Sequence, residues 1–537
     1  MAVLGRAGVD RPHRLSLGQA LIVALLAIAF VIGAGVQAWG DSATFDEPVY
    51  LSTGVAALLD HDVITNPEHP PFPKALAALP VLLVHPVHPT SPAASEEHQF
   101  ATDFMRAQIN SGTWHAVVFA GRLVPIAEAL AAGLLIFLLG TRLVSVAGGL
   151  VGATIWLAAP IVLGFGHLNG ADLPFALATL TLAYALLSWW RRRDSRRLVW
   201  LGVAAGATVA SQITGLSLIA FVVLLLVREG RTFRSGLRQG AAVLAIGWVT
   251  LWASYSVLDP TRVLHPRWGL PSPFVAGMEF ISQNDMSPTT AYLLGHVWSG
   301  GHWWYWPLSF VVKTPLPTTL ILLFGLVLWH RNTRTHRREA LVTLVIPICL
   351  LTLVLIFDPR NIGVRYLLPQ FALLAVLAAP LGLAITGRLG RVGLGAVLAG
   401  VVVAGALSVP HSLAYATPPF TPAYRTVSNS SVDWGQDLNL LQAWAAGKRP
   451  YVSYFGPRDL AASDIPGARE LRGVPLATIT GWVAVSATKL TSDTAEEFAW
   501  LRKYCPLGTL GGSIVLYYFL TPPSSVPGPN APPNPCP

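Results

Sequence analysis

Residues 21–52 read LIVALLAIAFVIGAGVQAWGDSATFDEPVYLS. A long apolar run gives way to a stretch holding three carboxylates, Asp41, Asp46 and Glu47. The run is long enough for a membrane span. The polar stretch has two readings. Thr44-x-x-Glu47 has the pattern of a capping box that starts a helix at the membrane surface. Alternatively, the carboxylates carry chemistry there.

Composition supports the membrane. The chain has 537 residues, 53% hydrophobic and only 12% charged, with a mean hydropathy of +0.54. Soluble proteins carry about 25% charged residues. A charge in hydrocarbon costs about 2.5–3.5 kcal/mol even on the milder insertion scales. The formal charge of +9 argues for nucleic acid only if its basic residues form a patch. They lie instead in short loops between apolar runs, so no nucleic-acid partner is expected. Three cysteines, Cys349, Cys505 and Cys536, make no disulfide framework and no CxxC motif. A Cys505–Cys536 pair stays open. Arg6, Arg11 and Arg14 precede the first apolar run, which is too long for a signal h-region, so an uncleaved first span is expected.

Eleven apolar segments are predicted to span: 17–39, 115–139, 144–165, 172–190, 198–212, 214–227, 238–258, 307–329, 340–357, 366–386 and 392–411. The fifth and sixth are short and nearly fused. With the N-terminus in the cytoplasm, the inner loops hold Arg142, Arg191 to Arg193, Arg196, Arg197 and Arg228. They also hold Arg231, Arg234, Arg238, Arg331, Arg334, Arg337, Arg338, Arg388 and Arg391. The short outer loops GHLNGAD and SQIT hold no Lys or Arg. That alternation follows the positive-inside rule. Residues 40–114, 259–306 and the tail from 412 then face outward.

The tail predicts a small α/β domain over 412–520: strand-like runs PYVSYF, GWVAVSA and SIVLYYF, and a helix in DLNLLQAWAAG. Residues 521–537 are Pro-rich and expected to be disordered. The fold class is mainly α, a polytopic membrane module (1–411) with a small extracytoplasmic α/β domain.

The first outer loop is rich in chemistry-bearing residues. After TFDEPVY comes NPEHPPFPK, with Glu68, His69 and Lys74, leading into KALAALPVLL, predicted to be a helix lying in the interface. Each also has a plainer role: Glu68 and His69 as solvated loop residues, Lys74 as a snorkelling side chain.

Several stretches resemble the GT-C-fold glycosyltransferases of family 39 type, which include protein O-mannosyltransferases and lipid A aminoarabinose transferases. They are FDEPVY, NPEHPPFPKALAALP, AGRLVPIAEALAAGLL, GHLNGADLPFALATLTLAYA, HWWYWPLSFVVKTPLP, GVRYLLPQFALL and SVDWGQDLNLL. KTPLP with DWGQDL resembles a bacterial subgroup. Where related chains often place a lysine before the sixth span, this one has Gln212.

The resemblance implies a bacterial inner-membrane enzyme that takes a polyprenyl-phosphate sugar from the outer leaflet and passes it to a protein, lipid or polysaccharide hydroxyl. It places the base in the FDE element, at Asp46 with Glu47 beside it. A lipid phosphate leaves as an anion and needs cations, or a divalent metal, rather than a general acid. Candidates near the outer interface are His69, Lys74, Lys313 and Arg365. Lys313 is roughly 9 Å inside a span at 1.5 Å per residue, where a lysine also snorkels. Glu68 is the implied metal ligand. Arg122 is placed to pair with a loop carboxylate or a phosphate. Asp172 is expected to cap its span, Asp433 and Asp437 to cap the tail helix, and Trp303, Trp304, Tyr305 and Trp306 to form an aromatic belt. Three rivals stand beside this. A lipid-linked sugar flippase calls for broken midplane helices and a repeated half, neither legible here. An assembly protein leaves the first loop unexplained. A related transferase for a pentose or aminosugar is not distinguished.

Overall fold

The computed structural model describes residues 15–89, 96–261, 265–285, 287–384, 387–457, 465, 467–491 and 496–523. The expected disorder of the Pro-rich end and a Cys505–Cys536 pair fall on residues outside these, apart from Pro522, Pro523 and their neighbour Thr521, and Cys505 itself.

The chain is mostly helical. Among the described residues, all eleven apolar segments carry helix, and six helices are long and apolar enough to cross a membrane: Leu17–Gly40, Trp114–Leu143, Asp172–Arg191, Arg334–Phe357, Val364–Leu383 and Arg388–Ser408. The other segments differ for local reasons. Segment 144–165 breaks after Leu157 and restarts at Pro160; segment 307–329 breaks at Thr314, before Pro315 and Pro317. Proline lacks the N–H that would continue the ladder, so it opens a helix well and continues one badly. The helices Ser195–Ser211 and Leu216–Glu229 are 17 and 14 residues long, short of a full span.

The largest apolar cluster joins the helices Leu17–Gly40, Trp114–Leu143, Val146–Leu157 and Leu368–Leu377, while a smaller cluster holds the helices around Leu201, Leu218 and Val243. Trp156 donates its indole N–H to the Ala129 carbonyl at 2.9 Å and stacks on Phe371 at 6.0 Å. Trp329 donates to the Leu377 carbonyl at 2.8 Å. On Leu17–Gly40, Phe30, Gly33, Ala34 and Gln37 are buried while Leu21, Leu25, Ile28 and Ile32 are exposed. An apolar outer face of this kind suits a lipid solvent.

Among the described residues of 40–114, the stretch predicted to face outward, three helices form: Glu47–Leu59, Pro71–Leu82 and Glu97–Ser111. The first two cross so closely that a Cβ on Gly54 would lie 2.3 Å from the Lys74 carbonyl oxygen. KALAALPVLL is helical, within Pro71–Leu82 and its C-cap Leu83. It buries Lys74, Ala75, Ala78 and Val81 and exposes Phe72, Leu76, Leu79 and Leu83, so both faces are apolar and its lysine points inward.

In the second outer loop, β1 (Thr290–Leu293) and β2 (His296–Ser299) form an antiparallel hairpin. The tail carries β3 (Tyr451–Ser453), β4 (Arg469–Glu470), β5 (Gly481–Ser486), β6 (Gly508–Leu510) and β7 (Ile514–Phe519), ordered β4-β3-β5-β7-β6. β3 runs parallel to β4 and β5, whereas β7 runs antiparallel to β5 and β6. Alternation sorts the two faces. Val483, Val485, Val515 and Tyr517 pack on one side. Ala484, Ile514 and Leu516 pack on the other, against Leu441 and Ala445 of the helix Leu438–Ala445.

Of the four aromatics at 303–306, only Trp303 is exposed. Tyr305 and Trp306 are buried, and Trp306 donates to the Leu355 carbonyl at 2.9 Å. The aromatic-belt expectation is thus corrected: these rings are drawn inward to fill the junction with the next helices.

Candidate active site

Asp46 is the last residue before the helix Glu47–Leu59, and its carboxylate makes no cap bond. Pro48 occupies the first turn, where a missing N–H costs nothing. Asp46 therefore points its side chain away from the helix, into a cavity of about 760 Å³. There its Oδ2 accepts a hydrogen bond from Arg365 Nη1 at 2.7 Å. The cavity has two characters. Asp46, His69, Asp172, Arg360 and Arg365 line its polar end, and Leu351, Val354, Leu355, Phe357 and Ile281 give it an apolar wall.

Glu47 does not face the cavity. It is fully buried and takes a bidentate bond from Arg122, at 2.9 Å from Nε and 2.6 Å from Nη2. Arg122 donates its remaining N–H groups to the carbonyls of Ala38 (3.0 Å), Asp41 (2.8 Å) and Ser42 (2.8 Å). All five guanidinium donors are used, so none is left for a phosphate. Glu47 also accepts from the backbone N–H of Thr44 at 2.9 Å and of Asn169 at 3.1 Å. Burial pushes its carboxyl up, but Arg122 and these N–H groups outweigh that and hold it below its ordinary value. Glu47 and Arg122 thus leave the catalytic and phosphate-binding sets. Their pair fixes the turn that presents Asp46, and half of the capping box survives in it, Glu47 reaching back to the Thr44 N–H.

Two lysines are corrected on the same ground. Lys74 is buried and donates to the Asn66 carbonyl (2.9 Å) and Asn66 Oδ1 (3.0 Å); burial lowers its basicity. Lys313 neither snorkels nor lines the cavity. It is 1% exposed and donates to the carbonyls of Leu413 (2.7 Å) and Ser431 (2.6 Å), tying two parts of the tail to the helices.

His69 does line the cavity. Burial first, then Lys74, Arg365 and Arg360, push its imidazole down to about 3, so it is a neutral hydrogen-bonding group and supplies no positive charge. Its Nδ1 is buried with no hydrogen-bond partner among the described residues. Tyr50 stacks near it at 5.3 Å. Glu68 lines the cavity too and accepts from Asn66 Nδ2, which also donates to Glu97 at 2.9 Å. Among the described residues no three His, Cys, Asp or Glu side chains converge as a metal would require.

Asp172 is the first residue of its helix rather than the cap before it, and makes no cap bond. Its Oδ2 lies 3.8 Å from Arg365 Nε, inside the cavity. The capping role expected for Asp433 and Asp437 is also absent. Asp433 accepts from the N–H groups of Thr488 (2.9 Å) and Gly435 (3.3 Å). Asp437 precedes the tail helix without capping it and accepts from Ser513 Oγ at 2.6 Å. Burial pushes Asp433 up to about 6 and Asp437 up to about 8.

Sequence motifs did not reveal Arg360. It lines the cavity and pairs with Asp358 at 3.1 Å. The one available signal was an Asp-Pro-Arg run at the outer end of a predicted span. Gln212 also lines the cavity.

Residues 114–255 match the family described as dolichyl-phosphate-mannose-protein mannosyltransferase. Among solved structures, the chain is similar to ArnT from Cupriavidus metallidurans, with 13% identity, a TM-score of 0.49, and 93% of this chain and 97% of that chain covered. It is also similar to an archaeal oligosaccharyltransferase, AglB from Archaeoglobus fulgidus, at 12% identity, a TM-score of 0.48, and 95% and 75% coverage. A third likeness is to the S. cerevisiae protein O-mannosyltransferase Pmt1-Pmt2 complex, at 18% identity and a TM-score of 0.33, over 53% of this chain and 39% of that one. No curated protein matches it in sequence. The chain resembles the GT-C-fold glycosyltransferases, with the protein O-mannosyltransferase type matched in sequence over the second to seventh apolar segments.

Proposed function

We propose that the protein is a membrane glycosyltransferase that moves a sugar from a polyprenyl-phosphate donor to an acceptor hydroxyl on the outer face of a bacterial inner membrane. It would cross that membrane eleven times, with its N-terminus in the cytoplasm and its tail outside. The observation that carries this is the meeting of Asp46 and Arg365 at the polar end of a cavity whose other wall is apolar. The donor's isoprenoid suits the apolar wall, and its phosphate suits Arg365 with Arg360 beside it. The acceptor oxygen attacks the anomeric carbon while Asp46 takes its proton. The new C–O bond forms as the bond to the phosphate oxygen breaks, and that oxygen leaves with the electron pair onto the guanidinium groups. An anion at Arg365 competes with Asp46 for the guanidinium, so donor binding itself frees the base.

The breaks near Ala158 and Thr314 do not line the cavity, so they do not build the midplane site a flippase needs. The test uses the full chain in liposomes, supplied with undecaprenyl-phosphate hexose, pentose and aminosugar donors and cell-envelope acceptor extract. Release of undecaprenyl phosphate, lost in Asp46→Asn, supports the proposal. Movement of intact donor across the bilayer without cleavage replaces it with the flippase.

A further inference from the structure

The turn Asp433–Asp437 belongs to the tail, yet it lies between the two strands of chain that carry Asp46 and Arg365. On one side Phe45 N–H donates to the Trp434 carbonyl and Ser42 N–H to the Gln436 carbonyl, both at 2.8 Å, while Asn439 N–H donates to Ser42 Oγ at 2.8 Å. On the other side Val364 N–H donates to Ser431 Oγ at 3.0 Å and Ser430 Oγ to the Ile362 carbonyl at 2.7 Å. Between them the Arg365 guanidinium carbon sits 4.2 Å from the centroid of the Trp434 ring. Trp434 is 3% exposed, braced edge-on by Phe165 at 6.2 Å. Arg365 Nη1 points at Asp46, and its Nε makes no hydrogen bond among the described residues.

We infer that Trp434 is a positioning residue for the donor phosphate, its indole face holding the Arg365 guanidinium in the plane that serves both Asp46 and an incoming anion. This rests on the function proposed above. A guanidinium on a flexible stem otherwise swings, and a desolvated aromatic face holds it by a cation–π contact. The segment 430–439 around this turn ties the two stretches of chain together, bonding Ser42 and Phe45 on the Asp46 side and Ile362 and Val364 on the Arg365 side. A tail segment outside the predicted spans is thereby part of the phosphate site.

The test measures binding of undecaprenyl phosphate, and of undecaprenol lacking the phosphate, to the full chain in detergent as wild type, Trp434→Leu and Trp434→Phe. The expected result is a loss for undecaprenyl phosphate alone, about tenfold in the Leu variant and about threefold in the Phe variant, as a cation–π contact removed or weakened would give. A merely structural role would weaken both lipids alike, and that outcome overturns the inference. So does unchanged phosphate affinity in either variant. If Trp434→Leu does not fold, the selective loss in Trp434→Phe decides. If the wild type binds undecaprenyl phosphate no better than undecaprenol, the proposed function itself fails, a result distinct from the other two.

Discussion

Asp46 and Arg365 are 319 residues apart in sequence, and a single 2.7 Å hydrogen bond joins them. One comes from the first outer loop and the other from the start of a late helix, so the site exists only when both ends of the helical part are assembled. Asp46→Asn keeps the bond's geometry and removes the base. Transfer should fall about 10²–10⁴-fold with the thermal unfolding midpoint unchanged. Wild-type transfer by this variant would assign the base elsewhere.

Glu47 separates from its neighbour by the opposite result. Glu47→Gln leaves the buried Arg122 charge without its partner, at a cost of about 3–5 kcal/mol. Glu47→Gln with Arg122→Met should cost less than the sum of the two alone. Chemical denaturation in detergent measures this. If Glu47→Gln lost transfer at full stability, Glu47 would be catalytic after all.

Lys313→Met removes the donor to the carbonyls of Leu413 and Ser431. Each unsatisfied buried carbonyl costs about 1–3 kcal/mol, so hydrogen exchange over 412–436 should accelerate, and because that segment carries Trp434, affinity for undecaprenyl phosphate should fall too, but by less than in Arg365→Gln. Arg365→Gln should do the reverse. Lys313 as a direct phosphate ligand would instead show a loss of affinity as large as that of Arg365→Gln.

Asp433 and Asp437 predict a pH dependence. Folded Asp437 keeps its proton up to about pH 8 and Asp433 up to about pH 6, because burial raises both, whereas an exposed aspartate loses it near pH 4. The stability they give is complete below pH 4 and declines as pH rises through these folded values. The slope is about 1.4 kcal/mol per pH unit for each proton. Asp437→Asn, in the presence of Asp41, Asp433 and His411 nearby, should flatten the fall of the unfolding midpoint between pH 6 and 8. An unchanged slope would discard burial as its source.

These residues also show what the sequence could and could not tell. Asp46 and Arg365 were legible because each lies in a short motif at the edge of an apolar run, where a charge needs a reason. Arg122, Lys74 and Lys313 were read as phosphate ligands on the same logic; Arg122 instead takes the pairing with a loop carboxylate that the sequence also offered, Glu47, and the two lysines go mainly to backbone. Their acceptors are mainly carbonyls, 8 residues away for Lys74 and 100 and 118 for Lys313; a carbonyl leaves no trace in side-chain identity. Trp434 stood in a quoted motif without a role, since the arginine it faces belongs to a different element. Helix existence was legible from apolarity. The breaks at Pro160 and Pro315 were not, because proline also occurs inside helices, as Pro125 does within Trp114–Leu143.

The tether from Lys313 to Ser431 has a consequence for biogenesis. A chain still emerging from the ribosome, with everything up to residue 427 inserted, has Lys313 without its Ser431 acceptor and Arg365 without the Trp434 ring that steadies it. On the function proposed above, the phosphate site would be complete only once the last fifth of the polypeptide has folded back against the helices, so the tail would serve as a completion signal for the enzyme. A truncation ending at residue 427 would be expected to insert yet release no undecaprenyl phosphate in the liposome assay, and release at the full rate would dismiss this role.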